Sequence, residues 1–428
     1  MRRSQAHGGR RDRSSAESWR PLCLFTQDDI IFVLKCLYIF TNVICGLMTG
    51  SSASHGDCKM EKPSSPIRDE IRAIAPYNAG LTIEEVRAKY GVGTIAKLGS
   101  NENPLGPSPA LRHLFPDIGE LARLYPDPQG RALCGQLAAR FEVDDSQMIL
   151  GNGSEDLIAV ICRSIVRQGD MVATLYPSFP LHEDYTTLMG GVIDRVPVKS
   201  DLTIDVDALL AAIARKPRML IFSNPMNPVG SWLTPAELGT IIAALDKDTI
   251  VVIDEAYAEY AAGENYPSAV EMLRDANVNW VVLRTFSKAF GLAGLRIGYG
   301  IVSSGELCDF LNRARTPFNT NAIAQTSAIA ALNDEAHLRK SVELALTERG
   351  RVAGALKGLG YRMAPSKCNF LFIDVGVSAV HVAENLLRLG VIVKPWKQPG
   401  FDTFIRVSIG SREENDHFLD AFRQIAAG

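Results

Sequence analysis

The sequence predicts an α/β fold: a large domain built on a mostly parallel sheet, followed by a smaller C-terminal α+β domain. Three observations carry this expectation. Short runs rich in Val, Ile and Leu recur from about residue 110 and lack period-2 alternation, as expected of strands covered on both faces. Helical patterns separate these runs, and alternating strand and helix marks a mostly parallel sheet. Beyond "TPFNTNA" (316–322) the order changes to a long helical stretch and then two more apolar runs.

In chain order, "MILGNGSEDLIAVICRSIV" passes from a strand through a glycine-rich turn into a helix that starts near Ser154. "MVATLYP" (171–177), "RMLIFSNP" (218–225), "TIVVIDEAY" (249–257) and "WVVLRTFS" (280–287) are the buried strands. "TPAE" (234–237) predicts a helix start, with Thr234 as N-cap, Pro235 in the first turn and Glu237 closing a capping box. A helical stretch covers 322–358, and "FLFIDV" and "FIRVSIG" are strands of the smaller domain. The expected organisation is a tail (1–65), an N-terminal arm belonging with the small domain (66–105), a large domain (106–318) and a small domain (319–428).

With 428 residues, 46% of them hydrophobic, the chain can bury a large core and form two domains. A net charge of −3 gives no electrostatic case for nucleic acid. Eight cysteines are present, four of them before residue 60; Cys134, Cys162, Cys308 and Cys368 are far apart and form no CxxC. No metal site or disulfide framework is expected, and a reducing, cytoplasmic setting fits. The tail has two readings. A basic lead (Arg2, Arg3, Arg10, Arg11, Arg13, Arg20) before the apolar stretch 30–48 meets the length criterion for a membrane anchor. Alternatively, the tail is upstream sequence and translation begins at Met48 or Met60.

In open α/β sheets, ligands bind at the carboxyl ends of the strands. There the chain places Asp254 with Tyr257, Asn227 in "SNPMNPVG", and Thr285, Ser287 and Lys288. The turn at Gly151–Gly153 feeds a helix N-terminus, where unpaired N–H groups and the helix dipole suit an anion. Singly, each has a plainer reading: Asp254 as a turn cap, the glycines as an ordinary turn, Arg296 and Lys288 as surface charges. Together they meet what pyridoxal 5'-phosphate requires. That cofactor needs a lysine for its aldehyde, an anion site, a carboxylate at the pyridine nitrogen, donors to the phenolic oxygen and an aromatic ring against its face.

"TFSKAFGLAGLRIGYG", "SNPMNPVG", "DEAYAEY", "NENPLGPSP" and "IRVSIGSREEND" resemble the fold-type-I pyridoxal-phosphate aminotransferases, specifically their histidinol-phosphate branch. The resemblance spans about residues 66–428 and implies a mostly parallel seven-stranded sheet in the large domain. It implies that Lys288 forms the Schiff base and carries the proton. Gly153, Ser154, Glu155, Thr285, Ser287 and Arg296 match the phosphate-contacting positions. Asp254 matches the partner of the pyridine nitrogen, Asn227 and Tyr257 the donors to the phenolic oxygen, and Phe179 the stacking ring. Tyr125 matches a tyrosine that reaches the neighbouring subunit's cofactor, so a homodimer with shared sites is implied. Arg406 matches the arginine that holds the substrate, with Lys394 and Tyr77 beside it. Three departures stand out: Val229 replaces the threonine of NPTG, "PYNAG" (76–80) departs from PY-x-PG, and Lys394 and Lys397 lie where many members carry arginine.

The implied reaction is ping-pong transamination of small molecules, L-histidinol phosphate and 2-oxoglutarate. Within the fold, an aromatic amino-acid transaminase and a decarboxylase of phosphorylated threonine stay open. A regulator that senses pyridoxal phosphate would need an N-terminal DNA-binding domain, and residues 1–60 show no helix-turn-helix pattern. The glycines around Lys288 and Arg296 are expected where backbone passes close to the cofactor.

Overall fold

The structure is a computed structural model that describes residues 66–78, 80–263 and 265–427. The basic lead and the apolar stretch 30–48 lie outside the described residues. Among the described residues no helix is long and apolar enough to cross a membrane.

Thirteen strands are described: β1 (Ala96–Lys97), β2 (Met148–Gly151), β3 (Met171–Tyr176), β4 (Val192–Pro197), β5 (Met219–Ser223), β6 (Ile250–Asp254), β7 (Trp280–Thr285), β8 (Gly298–Val302), β9 (Arg362–Met363), β10 (Phe370–Asp374), β11 (Val391–Ile392), β12 (Lys394–Pro395) and β13 (Phe404–Ser408). The seven-stranded sheet has the order β2-β8-β7-β6-β5-β3-β4. Its pairings are parallel from β7 through β4, and β8 runs antiparallel to both of its neighbours. Every residue of β5 and β6 is buried. The missing alternation in those runs has a direct cause: successive side chains enter two different cores. Leu220, Phe222, Val251 and Ile253 belong to one apolar cluster, while Met219, Ile221, Ile250 and Val252 belong to another on the opposite face.

Two strands of the seven-stranded sheet escaped the sequence reading, as did the two-residue strands β1, β9, β11 and β12. β4 is an edge strand with mostly exposed or half-buried residues, so its Asp194 and Arg195 hid it. β8 lay inside the glycine-rich motif after Lys288. Its Gly298 is where a Cβ would meet the backbone nitrogen of Ser154 at 2.5 Å. At Gly291 a Cβ would meet the carbonyl of Gly106 at 2.2 Å. These two glycines therefore serve the packing of chain against chain, a correction to the expectation that they make room for a cofactor.

The helices that position the site are α1 (Ser154–Ile165), α2 (Pro180–Leu188), α3 (Pro235–Ala244), α4 (Ala322–Leu332) and α5 (Glu335–Gly358). The capping box at Thr234 and Glu237 is present. The stretch 322–358 is two helices, because Asp334 caps α5 by accepting from the His337 amide and also holds the Ser108 hydroxyl. α4 packs through Ala324, Ala328, Ala331 and Leu332 into the large core. The small-domain core takes Val352 and Leu356 of α5 together with Ala96 and Leu98 from the N-terminal side. The large core in turn takes Ala364, Phe372, Trp396 and Phe404 from the small-domain side, so the two cores meet across β10 and β13. The small domain contains the antiparallel sheet β12-β13-β10-β9 and the parallel pair β1-β11.

Candidate active site

The carboxyl ends of β5, β6 and β7 open onto a cavity of about 290 Å³. Asp254 ends β6, Asn227 follows β5, and Thr285 ends β7 just before Ser287 and Lys288; all line this cavity. From α1 come Ser154 and Glu155, from the turn before α2 Phe179, and from the small domain Lys394 and Arg406. Tyr77 and the backbone of residues 99–101 close the remaining side.

Lys288 is part-buried, and its Nζ donates to the Ser100 carbonyl at 3.0 Å. Burial, with a smaller push from Arg406 and Arg296, brings its amine down to about 8, against the opposing pull of Glu102 and Asp254. The group is therefore poised between ammonium and free amine near neutral pH. Tyr257 is buried 5.9 Å from Lys288 Nζ, measured to the ring centre. Its hydroxyl accepts from Asn101 Nδ2 at 2.9 Å, and burial pushes its pKa up, so it stays a neutral donor.

Asp254 is buried. One carboxylate oxygen accepts from the Ala256 amide at 3.1 Å, so the turn-cap reading is partly right. The other lies 3.6 Å from His182 Nε2, beyond hydrogen-bond range, and that nitrogen has no partner. Asp254 thus keeps an oxygen able to take a strong donor from the cavity.

The anion side is built at the start of α1. Gly153 caps the helix at φ +82°, and a Cβ there would strike Arg296 Nη2 at 2.3 Å. This glycine does make room at the site, for a guanidinium. Arg296 Nη1 donates to Ser287 Oγ at 3.3 Å, and Thr285 Oγ1 donates to the same oxygen at 3.0 Å. Glu155 lies 3.7 Å from Arg296 Nη2. Hydroxyls, a guanidinium and the free N–H groups of a helix end converge here, which is the chemistry of an anion cradle.

On the small-domain side, Arg406 is buried on β13. Its Nη1 donates to Asn227 Oδ1 at 2.8 Å and its Nη2 to the Gly99 carbonyl at 3.0 Å. These bonds fix the fork and turn the Asn227 amide nitrogen away from it. Lys394 pairs with Arg406 across the β12–β13 ladder and donates to the Asn78 carbonyl. Burial, with Arg406 and Lys397 nearby, brings Lys394 down to about 8. Tyr77 is 60% exposed, so its ring stands at the mouth. Tyr125 does not line this chain's cavity: it is 82% exposed and stacks on Phe318 at 4.6 Å between ring centres.

Sequence reading missed Asn101 and His182. Asn101 holds φ +57°, donates its backbone N–H to Ser408 Oγ, accepts from that hydroxyl at Oδ1, and donates from Nδ2 to Tyr257. "NENPLGPSP" drew attention to it without assigning a role. His182 is a lone histidine on α2 whose contact with Asp254 leaves no local signal.

Fold and site define a class: a two-domain α/β enzyme with a lysine, a carboxylate and an anion cradle at the strand ends. The family model for aminotransferase class I and II matches residues 94–422, and the chain belongs to that family. It is 74% identical over 368 residues to histidinol-phosphate aminotransferase 3 of Rhizobium meliloti (strain 1021), covering 86% of this chain and all of that one. It is 57% identical over 366 residues to histidinol-phosphate aminotransferase 1 of Mesorhizobium japonicum, covering 86% of this chain and 100% of the relative. Among solved structures it is similar to the histidinol-phosphate aminotransferase from Sinorhizobium meliloti in complex with pyridoxal-5'-phosphate. That match has a TM-score of 0.77 and 28% identity over 85% of this chain and 98% of the other.

Proposed function

We propose that this aminotransferase exchanges an amino group between L-histidinol phosphate and 2-oxoglutarate, with pyridoxal 5'-phosphate as its cofactor and a homodimer as its working form. The observation that carries the reading is the meeting of Lys288, Asp254, Arg406 and the α1 anion cradle in one small cavity. The 74% identity to a histidinol-phosphate aminotransferase supports the substrate.

The residues present fit the cofactor. Asp254 has an oxygen without a strong donor, beside an unpartnered His182 nitrogen. Gly153 lets the Arg296 guanidinium lie against the start of α1, where a Cβ would displace it. Ser154, Thr285, Ser287 and Arg296 would hold the phosphate, Asp254 the pyridine N–H, Asn227 and Tyr257 the phenolic oxygen, and Phe179 the ring face. When bound, the cofactor supplies an aldehyde carbon for the amino group and a ring that draws electron density from the substrate Cα.

This chain's residues do the rest. Lys288 is held as a free amine in a useful fraction of molecules, so Nζ can hold and move a proton at the substrate Cα. Asp254, oriented by the Ala256 amide, would face the pyridine N–H with its other oxygen. Arg406 orients the anionic end of the substrate. Histidinol phosphate has a phosphate and no carboxylate, whereas glutamate has two carboxylates. One cation must therefore serve both, and a planar guanidinium fork accepts either anion. Each terminal nitrogen of Arg406 keeps a second N–H beyond those used by Asn227 and Gly99. Lys394 adds a point charge beside it. Tyr125, exposed on its own chain, is offered to the cradle of a partner copy.

The test is a comparison of amino donors with purified enzyme and 2-oxoglutarate, reading glutamate formation. L-histidinol phosphate is expected to give the highest kcat/KM. A higher value for L-tyrosine or L-phenylalanine would replace this reading with the aromatic one. Carbon dioxide release from O-phosphothreonine would replace it with the decarboxylase.

A further inference from the structure

A second cavity, about 780 Å³, lies on the other side of β7 from Lys288. Its lining includes Arg284 of β7 and Tyr299 of β8, which are paired across the ladder. Tyr299 is 2% exposed and its hydroxyl has no hydrogen-bond partner among the described residues. The hydroxyl is also absent from the fully enclosed unpaired atoms, so it meets the cavity and not the core. Beside it, Glu259 is nearly buried, and its carboxylate has a single ion-pair contact, to Arg284 at 3.5 Å. Burial raises the Glu259 pKa, and Arg284 and Arg140 oppose the rise. Arg140, at the rim, is exposed and makes no side-chain hydrogen bond or close ion pair among the described residues, though it lies near enough to Glu259 to act on it. Phe141, Leu338 and Val342 make an apolar wall.

The lining holds four arginines and four glutamates. A ligand carrying only negative charge would face four carboxylates, and one carrying only positive charge would face four guanidinium groups. A molecule with one charge of each sign, a few ångströms apart, avoids both conflicts. Its ammonium can meet Glu259 and the Tyr299 oxygen, its carboxylate can meet Arg140, and a hydrocarbon group can lie on the wall. The volume is within the ordinary range of small-molecule sites.

We propose that this cavity is a second binding site, separate from the catalytic one, for a free α-amino acid with an apolar side chain. Occupancy would be felt at the reaction centre. Arg284 donates to Glu255 at 2.9 and 2.7 Å, Glu255 follows Asp254 in the chain, and Arg284 precedes Thr285.

The experiment is equilibrium dialysis of labelled L-leucine against the holoenzyme, with 2-oxoglutarate saturating the catalytic cavity. One molecule per chain is expected, with a Kd of about 1 mM or below. Two analogues test the charge argument: 4-methylpentanoate keeps the carboxylate alone and 3-methylbutylamine the ammonium alone. Each should bind at least about tenfold more weakly, the loss of one charge-assisted bond. Arg140→Ala and Tyr299→Phe should each weaken L-leucine by about tenfold at unchanged circular dichroism. Arg140 is exposed, so its replacement leaves the core packing unchanged. Absence of L-leucine binding, equal binding of either analogue, or unchanged affinity in either variant overturns the proposal.

Discussion

Lys288 should titrate near pH 8 in the cofactor-free protein. The cause lies in its surroundings: burial disfavours the ammonium, and Arg406 and Arg296 outweigh Glu102 and Asp254. At pH 7.5 a lysine with this value is about one quarter free amine, whereas an ordinary lysine near 10.4 is free in about one molecule in 800. The difference is about two hundredfold in nucleophile, or about 3 kcal/mol. Competitive acetylation with acetic anhydride, read by mass spectrometry on the peptide containing Lys288, gives reactivity against pH. The midpoint is the readout, because absolute rates also depend on access. Arg406→Ala removes the second-largest cause, so it should move the midpoint upward. A wild-type midpoint within half a unit of about 10.4 would refute the reasoning.

The same shift has a stability counterpart. The folded value lies below the unfolded one, so the unfolded chain binds this proton more readily. The native state carries the full penalty below about pH 8, and stability rises with pH from there to about 10.5. Guanidinium melts of the cofactor-free protein, compared with Lys288→Met, isolate the contribution: the variant's curve should be flatter across that window.

Asp254→Asn should fold normally, because an amide oxygen can still accept from Ala256, yet lose at least about a hundredfold in kcat, or about 2.7 kcal/mol. A loss under about tenfold leaves Asp254 as a turn cap only. A mixed dimer of Tyr125→Phe and Lys288→Ala chains should retain one intact site out of two, since both defects fall in the other; loss of all activity in that species contradicts the shared site.

What was legible in the sequence was local. Asp254 and Lys288 could be read because strand ends in a parallel sheet are where chemistry sits, and the strands announced themselves by burial on both faces. Thr234 could be read because a capping box is complete within four residues. The remainder is long-range. Asn101 acquires its place from Ser408, 307 positions away, and from Asn369, 268 positions away. His182 matters only through a contact with Asp254 across the site. Gly298 looks like a cofactor glycine until the backbone of Ser154 is found against it. β4 was hidden by its own exposure, as edge strands are.

The two cores explain why the illegible part matters for function. Asp254 ends β6 and Lys288 follows β7 of the large sheet, whereas Arg406 and Lys394 stand on β13 and β12 of the small one. Asn101 ties them together, bonded to Tyr257 on one side and to Ser408 on the other. The fork of Arg406 reaches back to Asn227 of the large domain in the same way. On the proposed reading, a substrate oriented by Arg406 and deprotonated by Lys288 is placed by the junction between the domains, and that junction rests on side chains no local pattern encodes. A mutation that spares every chemical group but loosens Asn101 would misplace the substrate against the amine. Rates depend on such placement steeply, because a shift of about 1 Å costs about a hundredfold.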